Sequence, residues 1–363
     1  MVKKSVSFSH VQSDVFSYVP SIAANPQKRA RHQDGVSGRQ AKLSSVKKLM
    51  VVAAAPNTEE SWENIETLLG ELDIASLSAC PFAVDMKVQL ILLGKQTGAS
   101  KHACPYGHGS APFLSCPPIT LKNLDENYKA FQAAGGDEKN AKEFNNCVRP
   151  ALLQGPPDTT ALELLTIPEL HLLTGNTGKL AQHLVKSFPI EEDGANFLNT
   201  FMESNNISWC AYHPGTFEGN QARKFLRLSD KLLSEAEGLP PNKIGEKTTD
   251  IIKTIVKFGQ VVVACFGQEL DPNFEASIEE YEKFYRGLGI SVTPKVHCVF
   301  EHVPQFLKLK GLKTGLGAWS EQAMESVHHD LKLEWERSKV GPDHPNYDNL
   351  LFNTIVRYNS KHI

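Results

Sequence analysis

The chain has 363 residues, 41% hydrophobic and 22% charged, a composition ordinary for a folded globular protein of one large or two to three smaller domains. Its formal net charge of -3 excludes a global positive field that would draw it to nucleic acid, although local patches can still do so. Seven cysteines without a CxxC pair argue for reduced thiols rather than a disulfide scaffold, and no stretch approaches the roughly 18 apolar residues of a membrane span.

Residues 1–45 open on an alternating apolar stretch, SVSFSHVQSDVFSYV, without the apolar core of a signal peptide. A polar loop follows; its QKRAR (27–31) reads as a solvated basic loop or, alternatively, a nuclear import signal. KKLMVVAAAP (47–56) suits a buried strand ended by proline. NTEESWENIETLLGELDI (57–74) reads as a helix, capped at Asn57 or Thr58, with Trp62, Ile65, Leu68, Leu69 and Leu72 at helical spacing. FAVDMKVQLILLG (82–94) reads as a second strand, and residues 94–118 as loop. Helical patterns dominate 121–290, broken at LLQGPPD (152–158) and GLPPNK (238–243). Residues 295–310 are helical by pattern, and a glycine-rich break covers 311–317. SEQAMESVHHDLKLEWERSKV (320–340) is a strong helix with Ser320 as a candidate cap.

Four places carry chemistry. Asp85 sits inside an apolar strand pattern, where an ionised carboxylate is costly unless it reaches solvent, a partner or a metal. Cys104 in KHACPYGHGS reads either as a free buried cysteine or as half of a zinc knuckle, with His108 as its companion. His297 and His302 stand five apart, one off the spacing that puts two ligands on one helical face. They read as one packed and one exposed histidine, or as metal ligands where the helix begins or bends between them, or as the HxxxxH half of a zinc site completed from elsewhere. Glu321 and Glu325 share one helix face, as carboxylates on surface helices often do.

The order of these features is what links them. HVPQFLKLKGLKTGLGAWSEQAMES (302–326) resembles a stretch of the V(D)J recombinase catalytic subunit and of Transib-type transposases, in which an HxxxxH pair precedes a glycine turn, GAW and a helix bearing the last acid of a DDE triad. ELHLLTGNTGKL (169–180) is similar to that family's GN stretch and FEGNQARKFL (217–226) to its GN-x-ARK helix. Asp85 precedes Cys104 by nineteen residues, as the family's second acid precedes its first zinc cysteine. The resemblance covers roughly residues 47–340, with specific motifs only at these blocks.

The resemblance implies an α/β ribonuclease-H-like core interrupted by a long, mostly helical zinc-binding insertion. The core would occupy 1–95, the insertion 96–318, and a C-terminal helix in 319–363 would carry the last catalytic acid. Asp85 and Glu325 would hold catalytic Mg²⁺. Cys104, His108, His297 and His302 would hold structural zinc, with His102 a substitute for His108. The expected function is a transposon-derived DDE recombinase acting on DNA phosphodiesters through two Mg²⁺ ions, nuclear and dimeric, with no membrane and no small-molecule substrate. Two positions depart from the pattern. The first aspartate aligns with Ser9, followed by His10, and neither Asp14 nor Asp34 is a clear replacement. The second zinc cysteine falls on Gly107. The alternative reading is therefore a catalytically inactive, domesticated DNA- or protein-binding module.

Overall fold

The computed structural model describes residues 15–18, 50–54, 58–72, 81–96, 100–110, 116–210, 215–338 and 340–361. They divide into two compact units: residues 1–80 with 321–363, and residues 81–320.

In the first unit, strands β1 (Val15–Tyr18) and β2 (Met50–Ala54) form one antiparallel pair with a bulge between Phe16 and Ser17. Helix α1 (Trp62–Glu71) is capped by Ser61 and not by Asn57 or Thr58: the Ser61 hydroxyl accepts from the Asn64 amide at 3.2 Å. Helices α13 (Gln322–Glu336) and α14 (Tyr347–Ser360) pack on each other, with Trp335 edge-on to Tyr347. The buried Glu334 carboxylate gathers Arg337, Arg357 and Lys361 from both helices.

The second unit is helical: α2 (Met86–Leu92), α3 (Leu121–Ala133), α4 (Ala161–Leu164), α5 (Glu169–Lys186), α6 (Glu191–Ser204), α7 (Gly219–Arg227), α8 (Ser229–Glu237), α9 (Thr248–Cys265), α10 (Phe274–Gly287), α11 (Pro294–His297) and α12 (Val303–Leu309). Its centre is α9, which packs against α5, α7, α8 and α10. Ile252, Ile255, Phe258 and Val261 of α9 are fully buried. Phe258 meets Tyr281 at 5.0 Å between ring centroids, and Tyr281 meets Phe300 edge-on at 5.3 Å. At Gly259 a side chain would come within 3.1 Å of the Leu226 carbonyl, so glycine lets α9 and α7 approach backbone to backbone. No helix among the described residues is long and apolar enough to cross a membrane, α9 included.

Two of the sequence blocks that carry the family resemblance meet here. Glu169, at the start of α5, is wholly buried and ion-paired with Arg223 of α7. Arg223 also donates to the Phe266 carbonyl at 3.0 Å, and the Ser320 hydroxyl donates to Glu169 Oε2 at 2.8 Å. Removing the half-buried Arg223 would leave the buried Glu169 carboxylate without its counter-charge, a costly change.

Two expectations are corrected. The α/β ribonuclease-H-like core is not what the described residues form. Such a core needs a sheet flanked by helices, whereas the strands here are a single antiparallel two-stranded pair within a mostly helical protein. The strand expected over 82–94 is the helix α2. Val88, Gln89, Leu90, Ile91 and Leu92 are all buried, Gln89 with its amide donating to the Val84 and Thr166 carbonyls, so no exposed polar face marks a helical period. Only Phe82 keeps a strand-like pairing, a parallel bridge to Leu165. Asp85 therefore lies in no strand: it is the N-cap of α2, and its Oδ1 accepts from the Val88 amide at 2.8 Å. Ser9, His10, Asp14 and Asp34 lie outside the described residues.

The cap makes a measurable claim. Asp85→Ala should lower the unfolding free energy by about 1 kcal/mol, while Asp85→Asn, an equally good cap, should stay within about 0.5 kcal/mol of wild type. Urea denaturation checks both; equal loss in the two variants would mean the carboxylate does something other than cap the helix.

Candidate metal centre

Cys104 and Cys116 are brought together by a hairpin-like pairing of residues 104–108 with 116–119. The His108 amide donates to the Pro117 carbonyl at 3.0 Å and the Ile119 amide to the Tyr106 carbonyl at 3.1 Å. The two histidines come from the other end of the unit, on the continuous helical stretch α11–α12. Thr293 caps its start by accepting from the Val296 amide, and Pro294 occupies the first helical position.

Five positions on a regular α-helix lie about 140° apart around the axis, which would split the pair. The chain avoids this because Cys298–His302 forms one turn of π-helix, in which the Val303 amide reaches back to the Cys298 carbonyl. An i→i+5 turn stacks residues five apart. The rings of His297 and His302 accordingly meet at 4.8 Å between centroids.

Cys104, Cys116, His297 and His302 form one buried cluster whose potential ligand atoms all lie within 4.8 Å of one another. Cys104 Sγ lies 3.0 Å from His302 Nε2 and 3.6 Å from Cys116 Sγ. Ligands tetrahedrally placed at the usual bond lengths to a small divalent ion would be roughly 3.3–3.8 Å apart. Two sulfurs and two imidazole nitrogens suit a borderline-soft ion and not magnesium, which takes oxygen.

The surroundings fix the donor atoms. His302 Nδ1 faces Gln305 Oε1 at 2.9 Å, and Gln305 Nε2 donates to Glu301 Oε1 at 2.7 Å. A carboxylate only accepts, so the Gln305 amide is oriented with its oxygen toward the imidazole. His302 Nδ1 must then carry the proton, leaving the Nε2 lone pair for the cluster. Burial pushes the Cys104 thiol well above its usual range. Cys116 shifts the opposite way, first through its contact with Cys104 and then through His297 and His302 beside it.

The loop bearing the cysteines is braced from behind. Lys95, itself buried, donates to the Cys104 carbonyl at 2.8 Å. Asn145 and Asn146 sit consecutively in the left-handed region, at φ 53° and 59°. Asn146 Oδ1 accepts from the His102 amide at 2.9 Å, and its Nδ2 donates to Gln96 at 2.7 Å. Asparagine tolerates this backbone better than most residues with a side chain.

His108 is corrected as a ligand. Its Nδ1 receives Asn145 Nδ2 at 3.1 Å and its Nε2 lies 3.5 Å from Asn123 Oδ1, so the ring braces the loop and is not part of the cluster. His102 is likewise outside it, with Nδ1 facing the His108 carbonyl. The residue missed by sequence reasoning is Cys116. One signal pointed to it: within the 94–118 loop both cysteines precede a proline. Position 107, where the resemblance would place a cysteine, has no room for one. A Cβ there would lie 2.5 Å from Cys116 Sγ and 2.6 Å from the Pro117 carbonyl, so the Cys116 thiol fills the space next to position 107.

Of the expected catalytic acids, Asp85 belongs to the unit of residues 81–320 and Glu325 to the other. Glu325 lies within α13, and its side chain is outside the described part. Among the described residues, the Cys/His cluster is the group of three or more His, Cys, Asp or Glu side chains placed to hold a metal. Compared with known proteins, the chain matches no family model and no curated sequence.

Cys104→Ser, Cys116→Ser and His302→Ala should each abolish metal retention, whereas His108→Ala should keep it. Gly107→Ala should reduce retention by displacing Cys116. Elemental analysis of purified protein, with about one ion per chain expected for the wild type, decides; full loading of Cys116→Ser would remove that residue from the site.

Proposed function

We propose that residues 81–320 form a non-catalytic module clamped by one structural Zn²⁺ ion, in a transposon-derived relative of recombinases that binds DNA or protein instead of cutting DNA. The observation that carries this reading is the closure of the site. Four protein ligands from Cys104, Cys116, His297 and His302, all buried, leave no coordination position for a water. Catalytic zinc sites keep such a position open, and structural ones do not. Bound there, Zn²⁺ would supply a cross-link between chain ends and a counter-charge for two thiolates.

The silent reading is further supported by Asp85, whose carboxylate caps a helix, and by Ser9 where the resemblance would place the first acid. Serine cannot bridge two magnesium ions as a carboxylate does. DNA as partner, a homodimer and the nucleus as location remain what the resemblance implies.

Two measurements test this. Removing the metal with a strong chelator should lower the melting midpoint by about 10 °C or more, given the folding energy that structural zinc supplies. Supercoiled DNA incubated with the protein and Mg²⁺ or Mn²⁺ should stay intact. Metal-dependent nicking that disappears in Glu325→Gln and Asp85→Asn would overturn the non-catalytic reading.

A further inference from the structure

We infer that Pro304 is a positioning residue for the metal centre: it holds open the π turn that brings His297 and His302 onto one face. The inference rests on the zinc reading above. Residues 294–309 run as one helical stretch, with Pro304 two residues past the π turn. In a regular α-helix the amide at 304 would donate to the Phe300 carbonyl. Proline has no amide hydrogen, and its ring collides with the carbonyl four residues back. The collision falls inside the turn that is widened. The backbone shows where the widening is taken up: His302 has φ -92° and ψ -25°, whereas Cys298 at -59° and -37° and Val303 at -60° and -51° are near ideal helix.

Both flanks of the stretch are fixed. Thr293 caps one end, and Phe306 packs edge-on against Trp319 at the other. Between fixed flanks, the ladder can close either as an α turn with His297 and His302 about 140° apart or as a π turn with them stacked. Proline at 304 penalises the first and leaves the second free, since the π register already places the Val303 amide on the Cys298 carbonyl. A helix breaker is here a ligand-spacing device.

A merely structural proline would affect apo stability and metal affinity in the same direction. A positioning proline separates them. In Pro304→Ala the regular helix becomes accessible, so the metal-free protein should melt at the same temperature as wild type or higher. Its affinity for Zn²⁺, measured by competition with a chromophoric chelator, should fall about tenfold or more, the usual effect of disturbing a ligand's support. The visible bands of Co²⁺ in the site should weaken with it. Deleting the exposed Glu301 in the Pro304→Ala background leaves the histidines four apart on a regular α-helix, and affinity should return toward wild type, short of it by what the Gln305 amide loses with its carboxylate partner. Equal Zn²⁺ affinity of Pro304→Ala and wild type, or a loss of affinity that tracks a loss of apo stability without rescue by the deletion, would overturn this inference alone. A wild-type chain that takes up neither Zn²⁺ nor Co²⁺ would instead sink the zinc reading, and the inference with it.

Discussion

The constraint on which the helical unit depends is the meeting of two thiols with two imidazoles from opposite ends of its sequence. Cys104 and His302 are 198 positions apart, yet Sγ and Nε2 stand 3.0 Å from each other. Holding the ends of a chain that long together opposes a loop-closure entropy of about 5 kcal/mol on the logarithmic law. Hydrogen bonds among neutral side chains contribute only about 1 kcal/mol each. Burial also works against ionised sulfur, as the upward shift of Cys104 shows. Four groups that repay their desolvation poorly on their own would be balanced by one divalent cation, which takes thiolates as ligands.

The core built between these ends does not rely on the cluster alone. Helix α9 fills the centre, and the Glu169–Arg223 pair ties the start of α5 to α7. This gives the family-like blocks 169–180 and 217–226 a structural meaning independent of catalysis. Their charged residues meet each other in the interior, with the Ser320 hydroxyl completing the set. The GAW block is used similarly: Trp319 packs on Phe306, and Gly315 and Gly317 lie against the backbone of 265–269. Motifs that suggest DNA chemistry by resemblance act here as packing between segments distant in sequence.

Much of the helical layout was legible because amphipathic periods are local, although Ser320, expected to cap α13, donates to Glu169 and Glu321 takes the cap position. The α5, α10 and α13 segments show this, and the pattern over 295–310 is helical as expected. What was not legible depends on tertiary context. Helix α2 is buried on all sides, so Val88–Leu92 offers no period to distinguish helix from strand, and Asp85 reads as a buried acid when it is a cap. The π turn is invisible in composition, and spacing alone counted against His297 and His302 as a pair. Cys104 and both histidines could be named from order and resemblance. Cys116 could not, because its partner across the hairpin is set by backbone pairing and not by sequence spacing.

That last point bears on how a site survives a change in its motif. A metal recognises where a sulfur stands, not which residue carries it. Position 107 and position 116 are neighbours across the pairing that joins Gly107 to Pro118. A thiol can reach the same volume from either strand, but not from both, since a Cβ at 107 would sit 2.5 Å from Cys116 Sγ. Glycine at 107 is thus the complement of cysteine at 116, and the site gathers four candidate ligands without a CxxC pair. No comparable exchange is available to a two-metal carboxylate site. There each acid must reach an ion within about 4 Å of its twin, and a cap such as Asp85 is already engaged by the amide of its own helix. A Cys/His centre can therefore draw its sulfur from either side of such a pairing, whereas a two-metal carboxylate site has no comparable freedom in where its acids stand.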